Sequence, residues 1–414
     1  MNILIVCPRL CHGGAERVAV CLANGFVKRS HEIRFMSDLY EEVTYTLDNR
    51  VQISNLISAH NNKIQKWFGA IRNVRNEVKR NKPDIIIGIM PLCSLIAKIA
   101  TIGIKIPIIA TEHNAFEKPK SSPMPITERL YKFHINKIFD QVTVLTEADK
   151  KVIDKRLKNV TVMSNPLVID PITLIPPPKK YILAAGRIDN WYVKGFDILL
   201  QAWSKIISNE QLEISNYDYS QDGKPSHWWL KIAGIWRGED TIPYLTGIIP
   251  DGEWKNLNDN DNDDDNKSAV WRSEKYHIEF LGFRKDIEEL YKKSSIFVLS
   301  SRYEGFGLVL IEAMSQGCAP VACDYKGRQR EILSPLQGDS LKVNGYSDHG
   351  IEVTENGILC EPDDVEALAS ALKKMMEDED YRKKVQQNAV ERSKFYDMEH
   401  TMNRWEEYLN KVIS

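Results

Sequence analysis

The chain predicts an α/β protein built from two doubly wound, Rossmann-like domains facing a cleft, and three observations carry that prediction. Its 414 residues exceed what one ordinary hydrophobic core supports. Short, continuously apolar segments alternate with amphipathic helical patterns through both halves, the signature of parallel sheets covered on both faces. Near residue 170 the alternation is broken by Asp170-Pro171 and by Pro176-Pro177-Pro178-Lys179-Lys180, a stiff segment of the kind that separates domains, and then starts again.

In the first half, residues 3–7 read as a buried strand, 15–29 as a helix and 31–36 as the next strand. Residues 84–89 form a strand, 92–102 a helix, and 107–110 a strand leading into Thr111-Glu112-His113-Asn114. A further strand spans 141–145, and Thr146 is placed to cap the helix after it. This domain is expected over 1–168. The second, over 169–397, carries strands at 181–185, 229–233, 278–281, 296–300 and 320–323. The last segment, 397–413, is an amphipathic helix, expected from about 398 to pack back on the first domain. Two such sheets would bind ligand at the carboxyl ends of their strands.

Residues 208–276 interrupt this repeat as an acidic insertion with a low-complexity run at 258–266. Counted from Asp259, the sixth position is Asp264 rather than Gly and the twelfth is Val270 rather than Glu, so a calcium loop is excluded. The Asp-x-Asp triplets in it follow from composition, and the run reads as a solvated loop rather than a metal site.

Net charge is −2, which gives the molecule no general affinity for nucleic acid. Residues 1–170 carry 25 Lys+Arg against 16 Asp+Glu, so the first half is basic and the remainder acidic. That asymmetry either marks an anionic partner on the basic side or is a plain difference between domains. Seven cysteines, an odd number with no CxxC pair, predict free thiols in a reducing, cytoplasmic setting. The chain opens directly as a strand, which predicts no secretory leader. The most apolar stretch, 85–97, falls short of the ~20 residues that span a bilayer.

The chemistry concentrates in 300–313, Ser-Ser-Arg-Tyr-Glu-Gly-Phe-Gly-Leu-Val-Leu-Ile-Glu-Ala. A buried strand runs into a loop with Gly305 and Gly307, and a helix opens at Leu308. Glycines allow close backbone approach, and free N–H groups at a helix start favour a phosphate. Glu304 before the helix and Glu312 inside it could reach the hydroxyls of a sugar and a ribose; alternatively Glu304 caps the helix and Glu312 pairs on its surface. Gly186-Arg187 ends a strand and Lys194-Gly195 follows, so two cations stand ready for a diphosphate leaving group. Gly13-Gly14-Ala15-Glu16-Arg17 is a second glycine loop opening a helix, without the GxGxxG of a dinucleotide fold or the GK[ST] of a P-loop.

Over nearly its whole length the chain resembles a family 4 glycosyltransferase of the GT-B fold. The resemblance rests on residues 13–17, Glu112-His113-Asn114, Ser164-Asn165-Pro166, Gly186-Arg187 with Lys194-Gly195, Phe280-Leu281-Gly282-Phe283, and the Glu304/Glu312 pair. It implies a retaining transfer from a nucleotide sugar without a metal or other cofactor. Glu304 would contact the donor sugar and Glu312 the ribose. The backbone at Gly305, Phe306, Gly307 and Leu308, with Arg187 and Lys194, would hold the diphosphate. Phe283 would lie near the base, Gly14 would admit the phosphates, and His113 would stand beside the transferred sugar, unless it is a buried structural histidine. The stretch between Arg187 and Lys194 is longer than is usual in the family.

The Gly-Gly-Ala-Glu-Arg opening is common in relatives that extend lipid-linked glycans, which implies a hexose or N-acetylhexosamine moved from a UDP-sugar, or else a GDP-sugar, to a lipid-linked saccharide. In 61–82, seven Lys and Arg face a lone Glu77, and Trp67 and Phe68 lie beside them. Such a helix either rests on the inner face of an anionic membrane or covers the sheet with a solvated basic side. A nucleotide-sugar 2-epimerase of the same fold and a non-catalytic nucleotide-sugar-binding subunit are the competing functions.

Overall fold

The computed structural model describes residues 1–11, 13–41, 43–58, 62–153, 157, 159–177, 179–209, 227–235, 241–249, 253–256, 269–273, 276–334, 346 and 350–414. The acidic run 258–266, His12 and Asn61 lie outside the described residues. The chain divides into two compact units, Met1–Val168 with Tyr396–Ser414, and Ile169–Phe395.

The first unit is a seven-stranded sheet of β1 (Asn2–Arg9), β2 (Glu32–Asp38), β3 (Gln52–Asn55), β4 (Ile85–Ile89), β5 (Ile108–Thr111), β6 (Gln141–Val144) and β7 (Val160–Val162), in the order β3-β2-β1-β4-β5-β6-β7. All its pairings are parallel. Ile3, Leu4, Ile5 and Val6 are fully buried, as are Ile85, Ile86 and Ile87, which is why these strands read as unbroken apolar runs. Thr146 caps the helix Glu147–Ile153, accepting from Asp149 N at 3.1 Å.

The C-terminal helix Met398–Ile413 completes this unit. Asp397 caps it by accepting from His400 N at 2.8 Å. Trp405 meets Phe26 of the helix Gly14–Lys28 edge to face, with centroids 6.2 Å apart. Arg29 donates to Glu406 at 2.7 Å, and His31 Nε2 lies 2.8 Å from the same carboxylate.

The helix Lys63–Asn81 buries Ala70, Val74 and Val78, and Trp67 packs on the same core. Arg75 donates to the carbonyls of Ala100 and Ile102 at 2.8 and 3.0 Å. Trp67 and Arg75 are thus parts of the framework, not of a solvent-facing basic and aromatic surface. Phe68 and Ile64 do stand out, at 63% and 65% exposure. No described helix is long and apolar enough to cross a membrane.

The second unit holds β8 (Tyr181–Ala185), β9 (Trp229–Ala233), β10 (Glu253–Asn256), β11 (Ala269–Ser273), β12 (Ile278–Gly282), β13 (Ile296–Leu299), β14 (Ala319–Cys323), β15 (Ile351–Thr354) and β16 (Gly357–Cys360). Their order is β10-β11-β12-β9-β8-β13-β14-β16-β15. The six strands from β12 to β16 are parallel, and antiparallel strands close both edges. Residues 208–276 are therefore not a single insertion: β9, inside that span, sits between β12 and β8 in the sheet. All seven cysteines are free, six of them buried.

Candidate functional site

In the second unit the strand order reverses beside β8, between its neighbours β9 and β13, the place where an open parallel sheet leaves a crevice at its carboxyl edge. The loops on that edge are sewn together by backbone. Gly186 N donates to Ala233 O at 3.0 Å, and Gly234 N donates to Gly282 O at 2.8 Å. A Cβ on Gly234 would lie 1.6 Å from Gly186 O, so only glycine fits there. Phe283, next after β12, is 51% exposed at this edge.

After β8 the chain makes a short turn of helix, Trp191–Lys194, ending at Gly195 with φ +65°. A Cβ on Gly195 would sit 2.0 Å from Ser300 O, so the turn is pressed against the end of β13. Ser300 Oγ donates to Lys194 O at 2.8 Å, and Arg302 N donates to Val193 O at 2.8 Å. Held in this way, the Lys194 side chain passes over Gly186, where an added Cβ would meet it at 3.3 Å. Lys194 Nζ then donates to Glu304 Oε1 at 2.6 Å, and Ser301 Oγ donates to the same oxygen at 2.7 Å.

Gly186, Lys194 and Glu304 thus come together. Arg187 is turned elsewhere: it forks onto Asp189 at 3.1 and 2.8 Å, and its side chain is 64% exposed. Its pKa is raised by that hydrogen-bonded carboxylate, so it stays charged.

Gly305 follows Glu304, and Phe306 is buried beneath the loop. Gly307, at φ +99°, is the N-cap of the helix Leu308–Ser315 and no side chain caps it. Leu310 N turns back onto Gly307 O at 2.9 Å, and the N–H groups of Leu308 and Val309 begin the helix, the kind of end that suits an anion. Glu312 is 2% exposed, and Tyr291 OH donates to its Oε2 at 3.3 Å. Surface pairing is therefore wrong for Glu312, because the whole helix from Leu310 to Ser315 is buried.

In the first unit the order reverses between β1 and β4. Gly14 begins the helix after β1, with Gly13 as its N-cap. Glu16 folds back over Gly13, where a Cβ would lie 1.7 Å from Glu16 Oε2. Glu16 also lies 3.7 Å from Arg9 Nε, and Tyr45 OH donates to Gly13 O at 3.2 Å. The space that glycine frees at Gly13 is filled by the protein's own carboxylate.

His113 follows β5, the neighbour of β4. Its Nε2 lies 3.0 Å from Thr111 Oγ1, which itself donates to Gly88 O at 3.1 Å. A hydroxyl has one proton to give, so with Thr111 donating to Gly88 the ring proton sits on Nε2. Burial lowers the His113 pKa to about 4, against a weaker opposing interaction with Asn165, and the ring is neutral near pH 7. Beside it Glu112 is 2% exposed and accepts from Asn136 Nδ2 at 2.9 Å. Burial raises its pKa to about 7, against the pull of Lys132 and Asn136.

Sequence reasoning quoted Ser301, Arg302, Thr111 and Glu112 within its motifs but gave them no role, and it did not single out Tyr291. For Thr111 and Glu112 the signal was at hand, since polar residues closing an apolar strand must find partners. For Tyr291 no local signal exists.

Residues 168–392 match the family described as "Glycosyl transferases group 1", and residues 12–170 match "Glycosyltransferase Family 4". A Campylobacter jejuni protein named "GalNAc-alpha-(1->4)-GalNAc-alpha-(1->3)-diNAcBac-PP-undecaprenol alpha-1,4-N-acetyl-D-galactosaminyltransferase" is 26% identical, over 100% of this chain and 99% of its own. The amylovoran biosynthesis glycosyltransferase AmsD of Erwinia amylovora is 24% identical over 96% of each chain. Among solved structures, a glycosyltransferase from Rickettsia africae superposes with a TM-score of 0.69 at 19% identity, covering 100% of this chain and 98% of that one. Anabaena Alr3699/HepE in complex with UDP superposes at 0.68 with 16% identity, covering 99% and 100%. With both halves of its sequence matched and two Rossmann-like sheets of the GT-B kind, the chain belongs to the glycosyl transferases group 1 family, its N-terminal part being of the family 4 type.

Proposed function

We propose that the protein transfers a hexose or N-acetylhexosamine from a UDP-sugar to a lipid-linked saccharide, with retention of configuration, at the cytoplasmic face of a membrane. The observation that carries this reading is the Lys194–Glu304 pair beside the uncapped start of the helix Leu308–Ser315. It sets a cation, a carboxylate and free backbone N–H groups on one strand edge, the three things a sugar diphosphate requires.

In this reading the diphosphate lies on the helix start and on Lys194, with Arg187 released from Asp189 to join it. Glu304 accepts from hydroxyls of the donor sugar, and buried Glu312 from the ribose. As the bond between the anomeric carbon and the phosphate oxygen breaks, the acceptor hydroxyl bonds to that carbon on the same face. Its proton passes to the leaving phosphate oxygen. Charge grows on the diphosphate, so Lys194, Arg187 and the helix start act mainly on the transition state and no metal is called for. Neutral His113 serves as a hydrogen-bonding group for the sugar rather than as a charged acid.

The Campylobacter and Erwinia relatives, by their names, act in glycan and polysaccharide synthesis, which supports a lipid-linked acceptor. Exposed Phe68 and Ile64 beside Lys63, Lys66 and Arg72 support contact with an anionic membrane. UDP release from a panel of UDP-sugars, with an undecaprenyl-diphosphate-linked saccharide present, tests the reading, and NMR of the product reads its anomeric configuration. Acceptor-dependent release with an α-linked product is expected. Donor epimerisation without transfer, or binding without turnover, would replace the reading by the isomerase or the non-catalytic subunit.

A further inference from the structure

We infer that Arg302 is a positioning residue whose guanidinium sets Lys194 and Glu304 in register. This rests on the reading that Lys194 holds the donor diphosphate.

Arg302 lies two residues before Glu304, and it is buried. Its side chain is only 9% exposed, and each arm of the fork is spoken for. Nη1 and Nη2 donate to the two oxygens of Asp197 at 2.8 and 2.9 Å. Nη1 also reaches Tyr192 O at 2.5 Å, and Nε donates to Asp363 Oδ1 at 2.5 Å. The guanidinium stacks over the Tyr192 ring, 4.1 Å from its centroid. Its own backbone N–H holds Val193 O at 2.8 Å.

Three segments of sequence are joined here: the turn Trp191–Lys194, the loop carrying Glu304, and Asp363, which follows β16 with φ +64°. Side chain and backbone of one arginine thus grip Tyr192 and Val193, the two residues before Lys194. A planar, five-donor group on a bidentate carboxylate fixes orientation as a point charge cannot. Within this loop the Lys194–Glu304 contact is also braced by Ser300 Oγ on Lys194 O and by Ser301 Oγ on Glu304 Oε1, but neither hydroxyl ties the turn to a third segment as Arg302 does. The clamp is also what accommodates the long stretch after Arg187: it ties the far end of that stretch to the catalytic loop.

The test is a double-mutant cycle of Arg302→Lys with Lys194→Ala, read by calorimetric titration with UDP, or with GDP where UDP gives no heat. Circular dichroism and thermal melts confirm that each variant is folded, and Asp363→Asn, which leaves the Asp197 fork intact, is the mild second variant. Lys194→Ala alone should weaken nucleotide binding about tenfold, and Arg302→Lys should do nearly the same. The double variant should be no weaker than Lys194→Ala, because Arg302 acts through Lys194. Asp363→Asn should weaken binding less than Arg302→Lys. Additive losses, or wild-type affinity in folded Arg302→Lys, would overturn the inference while leaving the donor site standing. Unchanged affinity in Lys194→Ala would remove the donor-site reading itself, and the inference with it.

Discussion

Lys194 Nζ and Glu304 Oε1 lie 2.6 Å apart although 110 residues separate them in sequence. Without donor, the cation proposed to receive a diphosphate is thus already occupied by the carboxylate proposed to receive the sugar. Binding must exchange one anion for another at Lys194, and it frees Glu304 for the hydroxyls of the incoming sugar.

That exchange predicts opposite effects on binding and turnover. Glu304→Gln removes the competing charge, so UDP should bind more tightly, by up to about fivefold, the size of a modest, partly exposed ion pair. Turnover of the nucleotide sugar should fall by more than about tenfold, because the sugar loses its charged acceptor and keeps only a neutral amide oxygen. Calorimetry with UDP and steady-state release assays read the two sides separately. Weaker UDP binding in Glu304→Gln would refute the competition.

Glu312 stands differently, as a buried carboxylate with Tyr291 OH on Oε2. Glu312→Gln should weaken UDP by roughly tenfold or more, since a hydrogen bond to a charged acceptor is worth about 1.5–3 kcal/mol. Uridine diphosphate lacking the ribose 2′- and 3′-hydroxyls should bind wild type and variant alike. A variant that still discriminates between the two nucleotides would place the ribose away from Glu312.

Much of the framework was legible because burial on both faces writes strands as apolar runs. Residues 181–185 and 229–233 come out at the predicted bounds for that reason. The edge hairpin of β15 and β16 was not legible: Ile351–Thr354 is a short strand, half-buried and polar at alternate positions. Trp67 could have been settled from the sequence, since it falls on the helical face of Ala70, Val74 and Val78; of the two readings left open for that helix, it takes the sheet-covering one. The Glu304/Glu312 motif announced itself by glycines and spacing. Its dependence on Asp197 and Tyr192 did not, because contacts between distant segments leave no periodic trace.

The tautomer at His113 gives a prediction about pH. A ring held near 4 by burial is neutral throughout the physiological range, so turnover between about pH 5.5 and 8 should show no inflection that His113→Asn abolishes. Thr111→Val removes the acceptor of the Nε2 proton and should lower kcat by about tenfold, at a stability cost of about 1 kcal/mol. An inflection near pH 6.5 that disappears in His113→Asn would mean the ring charges during turnover and would exclude this picture.

Glu112 links the same region to stability. Its carboxyl is enclosed by Asn136, which donates to it, and by Lys132, whose ammonium donates to Ala115 O at 2.6 Å and pairs with Glu128 at 2.9 Å. Asp149, held by Phe116 N and Thr146 Oγ1, and Tyr131 complete the surroundings. Burial outweighs Lys132 and raises the carboxyl to about 7 from an ordinary 4.5. Between those values the folded protein keeps a proton that the unfolded chain has released, so this group's contribution to stability is complete below about 4.5 and falls as pH rises to 7. Its neighbour runs the other way: His113, depressed to about 4, makes stability rise with pH up to its ordinary 6.5. Comparing wild type with Glu112→Gln cancels the histidine, which both proteins share. The amide carries no charge to bury, so the variant should melt several degrees above wild type at pH 8, the difference being at most about 3 kcal/mol, and should converge with it near pH 4. Scanning calorimetry at the two pH values reads this directly. A variant that melts below wild type at pH 8 would show that the Lys132 attraction outweighs burial and that the folded carboxyl is held below, not above, its ordinary 4.5.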